Sequence, residues 1–153
     1  MYEERVAKAV ANFKQGYNCA QSVVAAFADL YGFTPEQAFR MAASFGGGIG
    51  RMRMTCGAAC GLFMLAGLET GAVEGADQKG KSYNYKIVQD LAAKFKEING
   101  SLICAELLGL NKDAKVSPNA EARTSEYYKK RPCSAMVETA ARLFANFLES
   151  HRS

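Results

Sequence analysis

Val6, Ala9, Val10 and Phe13 recur at the spacing of one helical face, and this stripe predicts a first helix that begins near Tyr2 and is closed by Gly16. Asn18 stands where a cap would open a second helix, and Val23, Val24, Phe27, Leu30 and Tyr31 carry the helical spacing on to Gly32. Thr34, with Pro35 at the first helical position and Gln37 behind it, opens a third that runs to about Phe45. The stretches GGGIG and RMRM then form a loop, and Thr55 is placed to cap a fourth helix whose Gly57, Ala58 and Gly61 leave one side small. Ile87, Val88, Leu91, Phe95 and Ile98 mark a fifth helix with Asn99 and Gly100 as its stop, and Ser101 heads a short sixth, SLICAELLG. From Asn111 to about Arg131 the chain is polar, contains Pro118 and shows no stripe, so a loop with one weak helix is expected. The last helix starts near Pro132 and buries Met136 or Val137, with Ala140, Phe144 and Leu148. No alternating run of β-branched residues and no internal repeat compete with this pattern. It predicts an all-α fold, a single-domain helical bundle of about six or seven helices over residues 1–153.

Composition narrows the function classes. With 153 residues, 49% of them hydrophobic, the chain can build a core without covalent staples. Its net charge of +4 is far from the excess of a disordered tail or a dedicated nucleic-acid binder, so no nucleic-acid partner is expected. The opening residues MYEERVAKAV lack the features of a secretory signal, which predicts a cytoplasmic protein. The apolar run from Cys56 to Leu68 is shorter than the roughly 20 residues a bilayer span needs, so no membrane partner is expected either.

Five cysteines in a reducing compartment argue against a disulfide scaffold and for thiol chemistry or metal binding, although a buried cysteine also serves simply to fill a core. Four of the five fall in expected first turns. Cys19 follows Asn18, Cys56 follows Thr55, Cys104 comes three residues after Ser101, and Cys133 follows Pro132. The free N–H groups and partial positive charge of a helix N-terminus favour a thiolate, which is both the nucleophile of disulfide exchange and the form that binds metal. Arg51 and Arg53 ahead of Cys56, and Lys129, Lys130 and Arg131 ahead of Cys133, would push the same way unless they only dress a solvated surface. Cys56 has helix terminus, arginines and glycines together and is the expected attacking thiolate. Cys60, one turn further and about 5–6 Å away on the same face, either packs or resolves an oxidised Cys56, and packing is favoured because a disulfide across one helical turn is strained.

The stretches GYNCAQSV, FGGGIGRMRMTCGAACG, ICAELLG and RPCSAMV resemble a family of redox-active proteins catalogued as C_GCAxxG_C_C, from about Gly16 to the end of the chain. The resemblance implies that Cys19, Cys56, Cys104 and Cys133 are the family cysteines, with Gly57, Ala58 and Gly61 completing the central motif. Cys60 falls at a variable position of it. A redox role is implied, together with a redox partner protein, an oxidoreductase or reductase. The region is also similar to part of the split-Soret cytochromes, which hold an iron–sulfur centre as well as haem. There is no CxxCH and the only histidine, His151, lies in the tail, so the haem has no support; an iron–sulfur cluster stays as the candidate cofactor.

Other motifs are weaker. GADQKGKS, Gly75 to Ser82, fits the spacing of a phosphate-binding loop but has no strand before it, and GGGIG lacks the third glycine of a dinucleotide fingerprint. Three uses of the cysteines stay open: a thiol–disulfide redox protein, an iron–sulfur electron carrier, and structural zinc, against which the absence of any CxxC counts. All three require helices far apart in sequence to bring the four thiols together.

Overall fold

A computed structural model describes residues 1–111 and 113–153; Lys112, inside the polar segment, lies outside them. The fold is all-α, with eight α-helices and two short 3-10 turns among the described residues. Its centre is α4 (Gly57–Thr70), which is apolar on every side and buries Ala58, Ala59, Leu62, Leu65 and Ala66. A helix without a polar face must be surrounded. The helices α2 (Cys19–Ala25), α5 (Gln78–Asn99) and α8 (Cys133–His151) pack around it, while α1 (Glu3–Lys14) closes on α8 and α2, and α3 (Pro35–Ala42) on α2. Phe13, Phe27, Phe95 and Phe144 are fully buried, each contributing about 2 kcal/mol by leaving water.

The cap residues behave as their chemistry dictates. Asn18 Oδ1 accepts from the Gln21 N–H at 2.8 Å while the Asn18 N–H donates to Gln21 Oε1 at 3.0 Å. Thr34 and Gln37 form the same reciprocal pair, with Pro35 at the first helical position. Asp77 Oδ1 accepts from the Gly80 N–H at 2.9 Å, so GADQKGKS is the capped opening of α5, and Lys81 Nζ is used on the Gly75 carbonyl at 2.6 Å. No strand occurs among the described residues to turn that stretch into a phosphate cradle.

Three boundaries differ from the sequence pattern. The second helix stops at Ala25, and Leu30 and Tyr31 belong to a separate 3-10 turn, Ala28–Tyr31, closed by Gly32 at φ 83°. Thr55 does not cap α4, because it is held in an antiparallel bridge with Ile103; Cys56 itself is the cap residue. The same bridge shortens the sixth helix to the single turn α6 (Cys104–Leu107). The weak helix expected in the polar segment is α7 (Ser125–Lys130), capped by Thr124. No helix among the described residues is long and apolar enough to cross a membrane.

Candidate functional site

Cys19, Cys104 and Cys133 are the first residues of α2, α6 and α8, and Cys56 is the cap residue of α4. Their four thiols line one cavity of about 410 Å³. Chain segments remote in sequence are brought there by three local devices.

The first is a pair of glycines. Gly57 and Gly61, one turn apart on α4, face α2: a Cβ built on Gly57 would lie 2.8 Å from the Phe45 carbonyl oxygen and 3.3 Å from the Cys19 Cβ, and one on Gly61 3.1 Å from the Ala20 carbonyl oxygen. Only hydrogens fit, so α2 lies against the α4 backbone and Cys19 sits beside Cys56. The second device is the bridge, in which the Cys56 N–H donates to the Leu102 carbonyl at 2.7 Å and the Cys104 N–H to the Met54 carbonyl at 2.6 Å. Cys56 and Cys104 are thereby fastened to each other's strand of chain. The third is the loop between Phe45 and Thr55, whose Gly47, Gly48, Ile49, Gly50, Arg51 and Arg53 all have φ between 56° and 76°. A left-handed course is open to glycine but strained for the other three, at about 1 kcal/mol or more each, and it is strained most for β-branched Ile49. Gly48 shows why it is kept, since a Cβ there would lie 2.6 Å from the Cys104 Cβ. The loop passes over that thiol at backbone distance and delivers two arginines to the cavity.

Among the described residues, five charged ones line the cavity: Arg51, Arg53, Arg123, Arg131 and a single carboxylate, Glu121. Glu121 pairs with Arg51 at 3.7 Å and also with Arg131. Arg123 donates to the Phe13 and Tyr17 carbonyls at 3.0 and 2.9 Å and lies over the rings of Phe13 and Tyr127. Arg53 Nη1 donates to Cys104 Sγ at 3.8 Å.

The thiols are not equivalent. The Cys19 thiol beside Cys133 favours the Cys133 thiolate, and this influence, aided by Arg131, Arg123 and Arg53 and opposed by burial, brings the Cys133 thiol down to about 7. The neighbouring Cys133 sulfur and burial push Cys19 well above the ordinary thiol range. Burial pushes Cys56 up to about 12 in spite of the Ala59 and Ala58 amides, which favour its thiolate. Burial also raises Cys104, against the pull of Arg53, and raises Cys60. Cys133 is also the only one of the five that is not buried. These influences favour a thiolate at Cys133, whereas the sequence pattern points to Cys56. Cys56 has its helix terminus, but a sulfur shut away from water loses more by desolvation than two amides return. Cys60 lies outside the cavity, with its thiol directed at the Thr55 carbonyl at 3.8 Å.

The family described as "Putative redox-active protein (C_GCAxxG_C_C)" matches residues 17–147. The chain belongs to that family. As a C_GCAxxG_C_C protein it is a redox-active protein by family description. No curated protein and no solved structure compared with it matches.

Several members of this site carry no signal in the cysteine pattern. Arg123, Glu121 and Tyr127 come from the polar segment between α6 and α8, where no stripe marks them. The adjacent aromatic pair Tyr127 and Tyr128 was the available clue: Tyr128 Oη donates to the Lys14 carbonyl at 3.0 Å and its ring meets Phe13 edge-on, which docks the segment onto α1.

Proposed function

We propose that this C_GCAxxG_C_C protein is a thiol–disulfide oxidoreductase in which Cys133 attacks and Cys19 resolves. The observation that carries the reading is the placement of Cys19 and Cys133 on one cavity at the heads of two different helices, which sets one half-buried, thiolate-prone sulfur beside one buried, protonated sulfur. In the step proposed, Cys133 thiolate attacks a substrate disulfide, a bond forms between Cys133 and one substrate sulfur, and the other leaves as a thiolate. Cys19 then attacks Cys133 and gives its proton to the departing thiolate, so that the protein pair is oxidised by two electrons and the substrate disulfide is reduced by two. A partner protein bearing a dithiol would restore the pair, in keeping with a reducing cytoplasmic setting.

An iron–sulfur cluster on Cys19, Cys56, Cys104 and Cys133 is the second reading, favoured by the shared cavity and its excess of arginines. Against it, no group of three or more His, Cys, Asp or Glu side chains among the described residues is arranged to hold a metal ion, so the donors as they stand fit a bound metal group poorly.

Anaerobic purification followed by visible absorbance, iron and sulfide analysis and thiol titration decides between the two. Colourless protein that loses two free thiols on mild oxidation, with Cys19 and Cys133 in one disulfide-linked peptide pair by mass spectrometry, is the expected result. Brown protein with stoichiometric iron and sulfide would overturn it.

A further inference from the structure

The cavity that holds the thiols has a charge imbalance that disulfide exchange by itself does not require. Among the described residues, four guanidinium groups line it against one carboxylate. Glu121 is shared by Arg51 and Arg131, which leaves Arg53 and Arg123 with no carboxylate among the described residues; their donors go to a thiol sulfur and to two backbone carbonyls. Arg53 is held in place at a cost, on a backbone with φ 62° that a non-glycine residue rarely adopts. Arg123 is fixed by its two carbonyls and lies over the adjoining Phe13 and Tyr127 rings at 4.5 and 4.7 Å. Rigid cations in a recess focus a positive potential into it and raise the local concentration of anions. At about 410 Å³ the recess matches small-molecule sites rather than a flat protein–protein contact.

We propose that the substrate reduced in this cavity is a low-molecular-weight disulfide bearing carboxylates, drawn in by Arg53 and Arg123 and delivered to Cys133. This deepens the oxidoreductase reading and rests on it. The guanidiniums serve twice in the exchange. They bind the carboxylates of the incoming disulfide, and they offset the negative charge that spreads over three sulfur atoms as Cys133 attacks and the substrate thiolate leaves. The two electrons and the proton follow the path given above, and a dithiol partner re-reduces the Cys19–Cys133 disulfide.

The test compares the native, fully reduced protein with a free thiol, mercaptoethanol, as reference for intrinsic reactivity. Three disulfide probes are used: dianionic dithiobis(nitrobenzoate), neutral dithiodipyridine and cationic cystamine. Relative to the reference thiol, the protein is expected to favour the anionic probe over the neutral one by about tenfold or more, and to disfavour cystamine, with both biases fading as salt screens the arginines. Arg53→Gln is expected to lower the ratio of anionic to neutral rates several-fold, with circular dichroism verifying the fold. Ratios equal to those of mercaptoethanol at every salt concentration would overturn the substrate proposal while leaving the oxidoreductase reading in place, provided dithiodipyridine still drives formation of the Cys19–Cys133 disulfide. Failure of dithiodipyridine to form that disulfide would overturn the oxidoreductase reading, and the substrate proposal with it.

Discussion

The backbone of Gly57 lies so close to Cys19 that a methyl group on it would stand 3.3 Å from the Cys19 Cβ and 2.8 Å from the Phe45 carbonyl oxygen. Gly57→Ala therefore forces the Phe45 carbonyl aside and crowds α2 at Cys19 and Ala20. The neighbour that must give way is backbone, which cannot rotate aside, so a loss of about 1–3 kcal/mol in denaturant unfolding is expected. The thiol chemistry should suffer more than the stability, because Cys19 rides on the helix that is crowded. Disulfide formation at full speed in a folded Gly57→Ala protein would refute this.

Cys133 should titrate alone. Its thiolate fills as pH rises through about 7, whereas burial holds the Cys56 thiol near 12 and keeps the other buried thiols above the ordinary range. Alkylation by iodoacetamide followed peptide by peptide is expected to show a midpoint near 7 at Cys133 only. Cys19→Ala removes the neighbouring thiol that is the main cause of the shift, so the midpoint should move upward. A midpoint unchanged by that substitution would leave the arginines as its source.

Cys60 tests whether the cavity or the motif matters. It is one turn from Cys56 and nearly as buried, yet its sulfur points at the Thr55 carbonyl and lines no part of the cavity. Cys60→Ser keeps a donor of similar size there and is expected to retain the rate of Cys19–Cys133 disulfide formation within about twofold and to cost no more than about 1 kcal/mol. Loss of cycling in Cys60→Ser would move the resolving role from Cys19 to Cys60.

At the far end of α4, Glu69 fastens the C-terminus. Its carboxylate accepts from Arg152 at 2.7 Å and from Tyr31 Oη at 2.8 Å, and His151 Nδ1 lies 2.9 Å away. Arg152 first, then His151 and Tyr31, hold Glu69 down to about 2. A carboxylate with a depressed pKa stabilises the fold fully above its unfolded value and loses that contribution as pH falls towards its folded one. Glu69→Gln is expected to cost about 2 kcal/mol at neutral pH, read from urea unfolding, with the gap to wild type closing between about pH 4 and pH 2.

Local chemistry was legible wherever a residue settles its own neighbourhood. Asn18 alone and Thr34 with Pro35 opened the helices they foretold, and four of the five thiols stand at helix starts. Tertiary pairing spoiled the pattern at Thr55 and Ser101. Thr55 is taken by Ile103, and Ser101 spends its hydroxyl on the Ile103 N–H and on Glu106, so the residues after them took over the helix starts. The left-handed course of Ile49, Arg51 and Arg53 was beyond reach, since only the glycines among them advertise it. The balance between Cys133 and Cys56 was likewise hidden. It depends on how much water each sulfur keeps and on which charges and thiols surround it, and neither is written in spacing along a helix.

Cys19 stands near the beginning of the chain and Cys133 near the start of its last helix. A covalent link between them would convert most of the polypeptide into a closed ring, and a loop of roughly 100 residues removes about 4–5 kcal/mol of freedom from the unfolded chain in the entropic account of cross-links. Each turnover would thus alternate the molecule between a looser and a tighter topology. Its resistance to proteolysis and heat would then record, molecule by molecule, which half of the cycle it occupies.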